Sequence, residues 1–225
     1  MRNSASNKVK HFSKHELLSF FGALEKERKK NFKNTNAYRS AVRDEAFFKL
    51  LYYCGLRVSE LCNMPLNYYD EERNELYCER YKGGKDNTLL IIDKKFQDIL
   101  KLHLEVNQPQ QYIFEGRTPG MPMSRKSIYI YMKDYCEKAG ITNLEKCHPH
   151  TLRHTRAVDM LDMGCSIYDV QFWLGHVDIS NTMIYLRFTT NQQTRLYNIL
   201  SGIELSKKDY QNYSTTQVNK RIRAV

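Results

Sequence analysis

Apolar residues recur at helical spacing along most of this chain, broken in one place by a shorter alternating pattern. Ser13-Lys-His-Glu16 has the form of a capping box, and Leu17, Leu18, Phe20 and Phe21 follow it, so a short helix is predicted from there. The basic run Lys26 to Lys33 is either a loop or the fraying end of that helix. Between 39 and 54, Val42, Ala46, Phe47, Leu50, Leu51 and Cys54 fall on one helical face, and Gly55 stands where a left-handed turn would end it. Glu75 to Tyr81 and Thr88 to Asp93 lean towards strands, and Lys82-Gly-Gly-Lys-Asp-Asn87 between them reads as a hairpin turn. Helices are predicted next at about 94–106 and 124–139, the second closed by Gly140, with a brief apolar stretch at 111–114 between them. Further helical segments follow at about 149–163, 166–174, 180–186 and 191–204. The expected fold class is mainly α with a small antiparallel β-sheet.

Composition narrows the classes. A chain of 225 residues with 41% hydrophobic and 12% aromatic positions has enough apolar surface to offset the entropy of ordering, which excludes a disordered polymer. The length suits one domain with short appendages. No stretch approaches the roughly 20 apolar residues of a membrane span, and Met1 to Lys10 lacks the apolar centre of a signal peptide. The protein is therefore expected to be soluble and cytoplasmic, with no membrane partner. Cysteines at 54, 62, 78, 136, 147 and 165 form no CxxC pair, so reduced thiols are expected. The charge is uneven: residues 1–43 carry a net +8, residues 44–205 a net −2 and residues 206–225 a net +4. Basic ends attract polyanions by counterion release, which points to nucleic acid or an anionic membrane; a merely solvated surface is the plain alternative.

Two segments carry candidate chemistry. In His148-Pro-His-Thr-Leu-Arg-His154, a helix begun at Pro149 puts His150 and Arg153 three residues apart on one face. A guanidinium fork and an imidazole converging in this way suit a phosphate. His150 and His154 also have the i, i+4 spacing of a zinc helix, but Thr151 stands where such sites carry Glu and no Cys pair supplies further ligands, so no metal is expected. His154 is read as packing beneath the helix or bonding a neighbouring backbone. Downstream, Leu174-Gly-His-Val-Asp-Ile-Ser-Asn-Thr-Met-Ile-Tyr185 makes a turn at Gly175-His176 and enters a helix at Ser180, with Tyr185 one turn in.

Together with Gly55-Leu-Arg-Val-Ser-Glu-Leu61, these segments resemble the tyrosine recombinase family, the phage-integrase type of site-specific DNA recombinase. The order Arg57, a hairpin Lys, His150-x-x-Arg153, His176 and Tyr185 matches, over roughly residues 12–200. The resemblance implies a catalytic-domain fold of that type and a reaction needing neither metal nor other cofactor. It implies that Tyr185 attacks a scissile phosphate of double-stranded DNA to form a 3′-phosphotyrosyl link. Arg57 and Arg153 would clamp the nonbridging oxygens, His150 would handle the phenol proton, and His176 would bond the phosphate. Lys82 is favoured over Lys85 as the lysine that protonates the leaving oxygen. Glu60 would hold Arg57 in place, and Lys85 and Arg156 are tentative DNA contacts, Arg156 being equally open to facing water.

The first motif arginine already stands at position 57, so the chain is expected to be a short form without an N-terminal DNA-binding domain. The expected organisation is a basic arm at 1–11, the catalytic domain at 12–204 and a basic tail at 205–225. Leu196, Ile199, Leu200 and Ile203 form an apolar stripe that either docks on a neighbouring protomer, giving a homo-oligomer on paired sites, or folds back on its own core. The alternatives carried are a DNA-binding accessory or regulator of the same fold and a type IB topoisomerase-like nicking and religating enzyme. Target sequence and genetic outcome are not legible.

Overall fold

The computed structural model describes residues 9–33 and 35–189. Helix α1 (Lys14–Lys30) opens on the capping box: Ser13 Oγ accepts from Glu16 N–H at 3.2 Å, and Glu16 Oε2 accepts from Ser13 N–H at 2.7 Å. It is longer than predicted, because Arg28, Lys29 and Lys30 form its last turn, where cations face the negative end of the helix dipole. The basic run is thus mostly helix. Thr35 caps α2 (Asn36–Tyr53), bonding Tyr38 N–H at 3.1 Å.

Helix α2 is the axle of the fold, packed by α1, α4 (Lys94–Asn107) and α6 (Pro149–Asp162). Its face carries Val42, Ala46, Phe47, Leu50 and Leu51 into the main core, where Phe20, Phe48, Phe96 and Phe114 join them. Two acids on it, Asp44 and Glu45, are buried but paired, Glu45 with Arg28 and Lys49 at 2.6 Å each and Asp44 with Arg43 at 2.8 Å. Gly55 ends the run in a left-handed conformation, φ +57°, and a Cβ there would lie 2.5 Å from Leu174 Cδ2. Only glycine fits both demands.

The one-turn helix α3 (Val58–Cys62) leads to the sheet, which has three antiparallel strands in the order β1-β2-β3 rather than the predicted two. Strand β1 (Tyr69–Asp70) is two residues long, too short for any alternation to reveal. Strands β2 (Glu75–Cys78) and β3 (Asn87–Leu90) pair with Leu76 opposite Leu89 and Cys78 opposite Asn87. Helices α5 (Arg125–Lys138), α7 (Ile167–Leu174) and α8 (Ser180–Met183) complete the described elements. Helix α8 stops three residues earlier than predicted, and Tyr185 lies between it and a 3-10 turn at Leu186–Phe188.

A second, smaller core sits at the α6–α7 end: Ala157, Val158, Met160, Leu161, Val170, Leu174 and Tyr185. Val9, in the expected basic arm, packs against this smaller core, and His11 stands edge-on to Phe188 at 5.2 Å. Phe12, where the expected domain starts, is buried in the main core, its N–H bonding Thr155 Oγ1 at 2.9 Å. The predicted helix at 191–204, with Leu196, Ile199, Leu200 and Ile203, and the basic tail lie outside the described residues. Among the described residues no helix is long and apolar enough to cross a membrane.

Candidate active site

Arg57 emerges from the Gly55 turn as the residue preceding α3, and Glu60 three residues on reaches back to it. Glu60 Oε2 accepts from Arg57 N–H at 2.8 Å while Oε1 meets Arg57 Nη1 at 2.6 Å. The same carboxylate accepts Tyr81 N–H at 3.2 Å and pairs with Arg80 Nη1 at 3.4 Å. Burial alone would raise its pKa, but the Arg57 N–H and the charges of Arg153, Arg80 and Arg57 outweigh that and leave the carboxyl below its usual range. Glu60 stays ionised and holds the Arg57 guanidinium, which also donates to the Tyr81 carbonyl at 3.1 Å.

Arg80 was missed by the sequence reading. Its side chain is wholly buried, with Nε on Asn87 Oδ1 at 3.1 Å and Nη2 on the Trp173 carbonyl at 2.7 Å. It pins the hairpin to the end of α7. The turn docks there as well: Lys85 N–H bonds the Gly175 carbonyl at 3.0 Å, and a Cβ on Gly175 would meet the Lys85 carbonyl oxygen at 2.7 Å. Lys82 sits exposed at the turn with φ +59°, and its charge contributes to lowering the pKa of His150. Lys85 is exposed and holds the turn through its backbone.

Helix α6 starts as predicted, with Pro149 in its first turn and His148 Nδ1 accepting from His150 N–H at 3.3 Å. Arg153 is 3% exposed and donates through Nη1 to the Gly55 carbonyl and through Nη2 to the Leu174 carbonyl at 2.9 Å. One guanidinium therefore ties α6 to both glycine-turn segments. Burial and then the Arg57 charge depress its pKa to about 9. His176 follows the left-handed Gly175, φ +67°, and its Nδ1 lies 2.8 Å from Thr182 Oγ1. Burial and the Arg153 and Arg57 charges drive His176 down to about 3; burial, His148 and the same arginines drive His150 to about 4. Both rings are neutral at neutral pH.

Tyr185 is 2% exposed. Burial raises its pKa while the charges of Arg153 and Arg57 pull the other way, so the phenol lies within the field of both guanidinium groups. The structure thus brings Arg57, Glu60, Lys82, His150, Arg153, His176 and Tyr185 to one place. Arg156 is half-buried, and its guanidinium lies over the rings of Tyr52, Tyr53 and Trp173 at 5.6, 5.9 and 5.4 Å, a contact the sequence did not suggest. His154 is half-buried on α6 as one expectation had it, and its hydrogen bond goes to a side chain rather than a neighbouring backbone, Nδ1 lying 2.8 Å from the Tyr185 hydroxyl.

Three guanidinium groups, with Glu60 as the carboxylate among them, leave a surplus of positive charge, and neutral imidazoles and one phenol stand beside it. Such a constellation has the charge to attract an anion and places a phenol beside it. The chain belongs to the phage integrase family, whose sequence profile matches residues 23–192. It is 37% identical over 153 residues to the tyrosine recombinase XerA of Pyrococcus furiosus, covering 67% of this chain and 52% of that one. The crystal structure of XerA recombinase has the same fold, with TM-score 0.69 and 24% identity over 86% of this chain and 64% of that chain. So does a post-cleavage complex of XerH site-specific recombinase bound to palindromic difH substrate, with TM-score 0.71 and 19% identity over 88% and 56%. The chain spans about half the length of the curated relatives it matches.

Proposed function

We propose that this protein is a site-specific tyrosine recombinase, which cuts and rejoins DNA strands through a 3′-phosphotyrosyl intermediate. The supporting observation is that both motif guanidinium groups, Arg57 held by the buried Glu60 carboxylate and the Tyr81 carbonyl and Arg153 by the Gly55 and Leu174 carbonyls, lie within electrostatic reach of the buried Tyr185 phenol. Arg57 and Arg153 repel each other, so a phosphodiester placed between them is stabilised by relief of that repulsion as well as by direct attraction.

Tyr185 Oη attacks the scissile phosphorus, and the bond to the 5′ oxygen breaks. His150, neutral at working pH, takes the phenol proton, and Lys82 supplies one to the leaving 5′ oxygen. His176 bonds a nonbridging oxygen. Rejoining is the reverse, with the phosphodiester energy kept in the tyrosyl ester, so neither ATP nor a metal enters any step. The catalytic domain extends over 12–204, with basic segments at 1–11 and 205–225 gripping phosphates. Two pairs of protomers act on paired sites, linked by the stripe at 196–203, and the protein works on nucleoid DNA in the cytoplasm.

The test is a pool of duplexes nicked beside a randomised core, incubated with the protein in EDTA and run on an SDS gel. A covalent protein–DNA adduct is expected from the wild type and none from Tyr185→Phe. No adduct from any member of the pool, or equal adduct from Tyr185→Phe, would falsify the reading.

A further inference from the structure

The sequence weighed His154 as a metal ligand and set it aside, and the catalytic scheme does not use it. It follows Arg153 directly on α6, about a quarter-turn round the helix, so while Arg153 points at the glycine turns His154 points at the segment carrying Tyr185. Its Nδ1 lies 2.8 Å from the phenol oxygen, with the two rings 5.7 Å apart and tilted by 50°. That hydroxyl is sealed from solvent and has no other hydrogen-bond partner among the described residues. Its hydrogen needs an acceptor. Burial, then His150 and Arg153, push His154 down to about 4, and a neutral imidazole protonated at Nε2 offers that acceptor at Nδ1.

The segment itself is lightly built. Helix α8 has four residues, Tyr185 N–H bonds the Thr182 carbonyl at 3.0 Å, and the 3-10 turn beyond it is covered by His11 on Phe188 and by Val9. Apolar packing in the smaller core seats the ring of Tyr185, and the His154 contact is the polar one to its oxygen.

We propose that His154 is the positioning residue of the nucleophile: its Nδ1 accepts a hydrogen bond from the Tyr185 hydroxyl and keeps the phenol protonated and closed to solvent until a DNA phosphate draws it away. This rests on the recombinase reading for the last step alone. Removing the hold exposes the phenol without DNA and lowers the cost of presenting it to the phosphate, each by about tenfold, the factor that one buried neutral hydrogen bond sets.

The residues from Ala157 to Arg187 contain no Lys or Arg before the last, so trypsin releases Tyr185 and Tyr168 on one peptide, and Tyr168 is 71% exposed. Nitration by tetranitromethane, read by mass spectrometry as the ratio of Tyr185 to Tyr168, is then internally referenced. His154→Phe keeps the ring and removes the acceptor, with His154→Leu to carry the test if Phe does not fold. His154→Asn puts an amide where Nδ1 was. We expect the ratio to rise about tenfold in His154→Phe with the melting temperature kept, and to return towards wild type in His154→Asn. Adduct formation on the nicked duplexes should also speed up in His154→Phe. Failure of either readout to rise overturns the proposal, and a slower adduct would make His154 a participant in the chemistry instead. If the wild type forms no adduct at all, the recombinase reading fails, and the nitration ratio still decides whether His154 holds the phenol.

Discussion

Arg57, Arg80 and Glu60 form a wall of the site that is bonded from every side, whereas Tyr185 stands on a segment with one four-residue helix and a 3-10 turn. The wall grows out of the larger core, through α2 and the sheet; the tyrosine segment belongs to the smaller core. On the proposed reading, the difference teaches that charge stabilisation is prepared in advance, since oriented donors that need no rearrangement lower a barrier most. A nucleophile that moved between protected and reacting positions would do so at low cost on a segment held by few hydrogen bonds.

The largest effect should come from breaking the wall. Glu60→Ala leaves Arg57 and the wholly buried Arg80 without their carboxylate, and removing one partner of a buried pair costs about 3–5 kcal/mol. Urea unfolding should show this as a lower midpoint, and a loss under about 1 kcal/mol would mean that the wall is not built around Glu60. Next, Arg57→Lys keeps the charge and loses the fork. Adduct formation should fall by roughly 10²–10³-fold with the unfolding midpoint nearly kept, and a variant within about threefold of wild type would count against a clamp of this kind.

Acid should sharpen the comparison further. His103 is 1% exposed in the main core, with Nε2 on the Ile113 carbonyl at 2.8 Å, and burial lowers its pKa to about 4 from an ordinary 6.5. Between those values the unfolded chain binds a proton that the folded chain refuses. Stability supplied by this group is therefore complete above pH 6.5 and is lost as pH falls towards 4, by about 3 kcal/mol. His150, His154 and His176 act in the same direction at the site. Unfolding free energies at pH 6.5, 5.5 and 4.5 should fall more steeply for wild type than for His103→Gln; parallel slopes would place the proton uptake elsewhere. The smallest change expected is Thr182→Val, which removes the 2.8 Å bond to His176 from the tyrosine segment. Its cost should be about 1 kcal/mol, with hydrogen exchange rising across 176–189 and unchanged in α2.

How much was legible can be judged from particular residues. The capping box at Ser13, the stop at Gly55, the proline start of α6 and the turn at Gly175 rest on local rules, and each stands as predicted. Arg57, His150, Arg153, His176 and Tyr185 could be picked out because their order together resembles that of the tyrosine recombinases, although each motif alone is weak. Arg80 had no such marker: Glu79-Arg80-Tyr81 reads as a charged hairpin edge, and its partners at Cys54, Asn87 and Trp173 are far away in sequence or across a turn. The ring contacts of Arg156, read as a DNA contact or a water-facing residue, and the side-chain partner of His154, read as packing beneath the helix or bonding a backbone, likewise come from elements remote in sequence.

The chain alone determined most of the elements, those ends marked by a cap, proline or left-handed glycine, and the ordered set of chemical groups, because these signals act over a few residues. Tertiary structure decided the third strand, which charges are buried together, which arginine lies over aromatic rings, and which group accepts the hydrogen bond of the phenol. Those outcomes depend on desolvation and on contacts between residues far apart in sequence, such as Arg153 with Gly55 and Thr155 with Phe12, and no local pattern encodes them.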